Sequence, residues 1–113
     1  MNLVKSIQGE DLDTLLAKEK FVILSCLADW SGPCRVMGTI VGQLATQYSQ
    51  QVKIVKLDTG SNLLTVQRLG LKSVPTILVF QAGQMVAEFV GITPYEQLSQ
   101  TIDQLLRMSL VAG

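Results

Sequence analysis

The chain has 113 residues, the size of one domain, with no room for a second core. Hydrophobic residues make up 48% of it and charged residues 16%, which excludes a disordered chain and allows folding without covalent staples. Nine Lys and Arg balance nine Asp and Glu without a basic cluster, so nucleic acid and anionic membrane surfaces have no electrostatic footing as partners.

The N-terminus, Met1 to Ser6, lacks the basic region and long apolar stretch of a secretory signal. The mature chain reads as cytoplasmic, or else as trimmed of a targeting segment. Leu3 to Ile7 suits a short first strand. Asp11 to Leu16 fits a short helix with Leu12, Leu15 and Leu16 on one side. Phe21 to Ala28 is a nearly continuous apolar run, expected of a central strand covered on both faces. Ser25 interrupts this run, which is far too short to cross a bilayer.

Next comes Asp29-Trp30-Ser31-Gly32-Pro33-Cys34, followed by Val36, Met37, Ile40, Val41, Leu44 and Tyr48 at helical spacing. Pro33 suits the first turn of that helix, where its missing N–H is harmless. Val52 to Leu57 reads as another strand and Asp58 to Gly60 as a turn. Ser61 or Asn62 then caps a short helix that Gly70 ends.

Thr76–Phe80 and Met85–Val90 are strands separated by the hairpin punctuation Gln81-Ala82-Gly83-Gln84. Thr93 caps a final helix with Pro94 at its first position, and Tyr95, Leu98, Ile102 and Leu105 face the core. The tail after Arg107 is expected to fray. The order βαβαβαββα implies an α/β domain, a twisted mixed sheet with helices on both faces.

The inventory of reactive groups is short. There is no histidine, so Ser-His and Cys-His nucleophilic pairs and His-ligated metals are excluded. Two cysteines, Cys26 and Cys34, are too few for a four-thiolate zinc site or a disulfide framework. Nothing calls for a cofactor or a metal.

Ala28-Asp29-Trp30-Ser31-Gly32-Pro33-Cys34 lies where a central strand gives way to a helix, and here the chain resembles the thioredoxin family. That family carries Trp-Cys-Gly-Pro-Cys at such a turn. Val74-Pro75-Thr76 looks like its cis-proline loop, Val90-Gly91 like its glycine turn, and Lys56-Leu57-Asp58 also fits. The spacings match over about residues 5–107 of one thioredoxin-like domain spanning 1–113. The resemblance implies the thioredoxin fold, a mixed five-stranded sheet flanked by four helices, and a role in thiol–disulfide exchange and cell redox homeostasis.

Three positions depart from the family. Ser31 replaces the attacking cysteine, Ser25 replaces a buried Asp beneath the resolving cysteine, and Thr39 replaces a proline that kinks the long helix. A thiol at a helix N-terminus is acidified by unpaired N–H groups and the helix dipole; a serine hydroxyl there is a far weaker acid and forms no mixed disulfide. Ser31 is therefore expected to act as a helix cap. Cys34, matching the resolving cysteine, is expected to be mostly buried, and Cys26 to be a core residue on the face opposite Ser25.

The resemblance lays an extended substrate segment against Trp30, Gly32, Pro33, Val74, Pro75, Gly91 and Ile92, pairing with the backbone of Val74 like an added strand. Asp29 and Lys56 read as solvated charges. Three readings stay open: an altered redox protein working through Cys34 with a thiol reductant, a peptide- or client-binding module without electron transfer, and a Cys-to-Ser variant of an ordinary disulfide reductase.

Overall fold

The computed structural model describes residues 4–28 and 31–112, with side chains up to residue 110. Trp30 and Asp29, singled out above, lie outside the described residues, as does Leu3 of the expected first strand.

Five strands form one sheet in the order β1-β3-β2-β4-β5. They are β1 (Lys5–Ser6), β2 (Phe21–Leu27), β3 (Lys53–Asp58), β4 (Thr76–Gln81) and β5 (Gln84–Val90). Helices α1 (Leu12–Lys18), α2 (Gly32–Tyr48), α3 (Leu63–Leu69) and α4 (Tyr95–Ala112) alternate with them, and 3-10 turns precede α1 and α3. Strands β1, β3 and β2 run parallel, while β4 and β5 run antiparallel to their neighbours. This is the thioredoxin fold.

Strand alternation divides the core. Ile23, Ile54, Ile77 and Val79 pack on one face against Met37, Val41 and Leu44 of α2 and Leu98 and Ile102 of α4. Val22, Leu24, Cys26, Val55, Leu57, Leu78 and Phe80 pack on the other face with Leu12, under α1 and α3. With both faces covered, β2 has no polar side, which is why its sequence runs apolar. Each fully buried aliphatic side chain contributes about 1.5–3 kcal/mol.

Several boundaries differ from the sequence expectation, each for a local reason. Strand β1 shrinks to two residues at a sheet edge, although Ile7 N–H still donates to Lys56 O at 2.9 Å. The Gln51 and Val52 amides bond back to the Tyr48 carbonyl at 3.0 Å, so β3 starts at Lys53. Val36 sits about 100° round the helix from Met37, and it is exposed.

Asn62 stands at the start of α3 without capping it: its side chain accepts from Gly9 N–H at 2.8 Å and donates to Asp58 O at 2.8 Å. Gly70 ends α3 as expected, in the left-handed region at φ 69°. Thr93 does not cap the last helix; its hydroxyl donates to Gly91 O at 3.3 Å, and the Pro94 carbonyl accepts from Gln97 and Leu98. Helix α4 continues past Arg107 to Ala112, through the good helix formers Met108 and Leu110.

Candidate functional site

The sheet register gathers the site at one end of the molecule. Cys26 near the end of β2 is opposite Thr76 at the start of β4, and Thr76 is opposite Val90 at the end of β5. The segment entering α2, the Val74–Pro75 loop and the Gly91–Ile92 turn therefore all leave the sheet from the same end. Two hydrogen bonds fix the loops to each other and to the helix. Gly91 N–H donates to Pro75 O at 2.8 Å, and Thr93 N–H donates to Met37 Sδ at 3.3 Å. The Val74–Pro75 bond is cis, as the family resemblance implies, and Gly91 takes φ 82°, a conformation open to glycine.

Ser31 is the N-cap of α2. Its backbone is extended, with φ −95° and ψ 125°, and Oγ accepts from Cys34 N–H at 3.4 Å. The side chain thus answers one of the helix's orphan donors. Ser31 is only 6% exposed, and its Oγ has no other hydrogen-bond partner among the described residues.

Cys34 lies in the first turn of the same helix and is 4% exposed. Its Sγ turns inward and accepts from Ala28 N–H at 3.3 Å. Neither cysteine is paired. Cys26 sits across the sheet from α2, where burial pushes its thiol up to about 12 from an ordinary 9.0. It is a core residue, as its alternation predicts.

The remaining expected contact residues form a surface of mixed exposure. Gly32, Pro33 and Ile92 are exposed, Val74 and Gly91 are half-buried, and Pro75 is buried. The Val74 amide and carbonyl have no hydrogen-bond partner among the described residues. Sequence reasoning did not find Ala28 N–H as the partner of the Cys34 sulfur, nor Met37 as an anchor for the Thr93 loop. An apolar residue within a helical stripe reads as core, and a backbone donor leaves no sequence signature.

Among the described residues, no cluster of His, Cys, Asp and Glu is arranged to hold a metal, and no helix is long and apolar enough to cross a membrane.

The thioredoxin family profile matches residues 3–104. The chain is 40% identical to thioredoxin 1 of Synechococcus elongatus over 85 residues, covering 75% of this chain and 79% of that one. It is 33% identical to the thioredoxin of Haemophilus influenzae over 105 residues, covering 92% and 98% of the two chains. Among solved structures, a mutant thioredoxin from Halobacterium salinarum superposes with a TM-score of 0.83 at 28% identity, covering 91% of each chain. Sheet order, cis-proline loop and relatives agree: this chain belongs to the thioredoxin family.

Proposed function

We propose that this family member binds extended segments of client proteins in the groove beside α2 and has weak or no dithiol reductase activity. One observation carries the reading: the N-cap atom that would begin the exchange is a serine oxygen accepting from the Cys34 amide. Reduction of a disulfide opens with a thiolate attacking one sulfur and expelling the other; the second thiol then releases the mixed disulfide. Ser31 supplies no sulfur for the first step, and no histidine is present to act as its base.

The groove is suited to recognition. With no partner among the described residues, the Val74 N–H and C=O offer a client strand one donor and one acceptor, while Gly32, Pro33 and Ile92 give it exposed, mostly apolar surface. Burial of Cys34 favours binding over monothiol exchange, because the sulfur must leave the Ala28 amide to meet a partner. In this reading the partners are protein segments in the cytoplasm, and binding them calls for no cofactor.

Reduction of insulin by dithiothreitol, followed by turbidity, tests the chemistry. The Ser31→Cys variant is expected to exceed the parent protein at least tenfold; equal rates overturn the reading. Peptide capture tests the second half. Cys34→Ala is expected to hold a disulfide-containing peptide as well as the parent does, whereas loss of capture assigns the protein to monothiol exchange.

A further inference from the structure

Beneath α2, beside the groove, β2 and β3 form the floor of a separate cleft of about 400 Å³. Ser25, Leu27 and Lys56 line it from the sheet, and Arg35, Gly38 and Thr39 line it from the helix; Cys34 is not part of its wall. Ser25 and Lys56 are direct register partners on adjacent parallel strands, so their side chains emerge on the same face.

The lining chemistry is one-sided. Arg35 and Lys56 bring two positive charges, and among the described residues no carboxylate lines the cleft. Among the described residues the one ion pair is Arg68 with Asp13, so neither of these cations is neutralised by a described side chain. Asp58, the nearest acid along β3, accepts instead from Gly60 N–H at 3.2 Å and Ser61 Oγ at 2.7 Å. Neither the Ser25 nor the Thr39 hydroxyl has a hydrogen-bond partner among the described residues, and Thr39 is exposed. Since no fully buried side-chain polar atom among those residues lacks a partner, the Ser25 Oγ opens onto the cleft although the residue is only 2% exposed. Hydroxyls that open onto a cleft without a protein partner are free to donate to a bound ligand. A Cβ added at Gly38 meets no neighbouring element within 4 Å, so the space above that residue is open.

We propose that this cleft binds a small tetrahedral oxyanion, a phosphate or sulfate group, either free or on the end of a small ester. Lys56 and Arg35 supply the charge, with the planar guanidinium suited to two oxygens at once. The Ser25 and Thr39 hydroxyls donate to the remaining oxygens. This site stands apart from the client groove and does not depend on the redox state or role of Cys34.

The test is a titration of the full chain, followed by backbone amide NMR shifts at constant ionic strength. The probes are inorganic phosphate, sulfate, glycerol phosphate and, as a monovalent control, chloride. Saturable shifts at Ser25, Lys56 and Thr39 are expected with phosphate or sulfate, with a dissociation constant on the order of 1 mM. Comparable shifts with glycerol phosphate identify an ester-linked group as the ligand; shifts with the inorganic ions alone identify the free ion. Lys56→Gln and Arg35→Gln are expected to weaken binding roughly tenfold each, since each removes one charge-assisted contact. Cys34→Ala is expected to leave it unchanged. Absence of saturation with both oxyanions, equal shifts with chloride, or unchanged affinity in both charge variants overturns the proposal. Both charge variants alter side chains that reach solvent, and a native amide spectrum of each verifies the fold.

Discussion

Cys26 permits a quantitative test of which sulfur is structural. Its side chain is wholly buried in β2 among Val22, Leu24, Leu57 and Leu78, and burial raises the thiol to about 12 from 9.0. On raising pH, the unfolded chain releases this proton first, so above pH 9.0 the native state holds more protons than the unfolded state. Stability from this group is therefore fully present below 9.0 and falls as pH rises to about 12. Between about pH 8 and about pH 10.5 the loss from this one group is roughly 2 kcal/mol. Burial and the hydrogen bond to Asp103 raise Tyr48 from 10.0 to about 12, adding a loss of the same sign that begins about one unit higher.

Cys26→Ala removes the first contribution and leaves the second. The variant is expected to be less stable at about pH 8 by roughly 1 kcal/mol, because a buried sulfur is lost. Its further decline to about pH 10.5 is expected to be smaller than the parent's by roughly 2 kcal/mol, equivalent to about 1–2 M in a urea midpoint. Urea unfolding followed by circular dichroism at both pH values measures the difference. Parallel pH profiles for the two proteins refute the reasoning and mean that the Cys26 thiol ionises as easily in the folded chain as in the unfolded one.

Other expectations follow from single contacts. Ser31→Ala removes the side-chain cap of α2, and its 3.4 Å hydrogen bond places the loss toward the low end of the usual range, about 0.5–1 kcal/mol. In a domain of 113 residues that is about 2–4 °C in a thermal melt, and no change in Tm contradicts the capping role. Leu44→Ala opens a cavity where α2 meets the sheet and is expected to lower stability by about 2–5 kcal/mol in denaturant unfolding. Ala82 takes φ 51° ahead of Gly83 at φ 81° in the β4–β5 hairpin, so Ala82→Asn is expected to raise stability by up to about 1 kcal/mol. A lower Tm for that variant sinks the argument.

The chemistry along the chain was legible because it is local. Ser31 before Gly32-Pro33-Cys34 states that the N-cap has oxygen in place of sulfur, whatever surrounds it, and the helix geometry then makes that oxygen a cap. Apolar periodicity likewise marked most strands and helices, though not all their ends, since burial on one face or two is written in the residue pattern: β2 reads as a nearly continuous apolar run because both its faces are covered. The alternation of Ser25 and Cys26 placed them on opposite sides of the sheet before any packing was known.

What remained depended on contacts between distant segments. The sequence alone could not show that Gly91 N–H meets Pro75 O, that Thr93 N–H reaches Met37 Sδ, or that Thr93 turns its hydroxyl to Gly91 and leaves α4 uncapped by it. Lys56, which reads as a solvated charge, meets Arg35 across a cleft only because β3 lies beside β2 beneath α2. Periodicity tells which face of an element seeks burial; which groups then meet on that face is decided by the register between elements, and register is a property of the assembled chain.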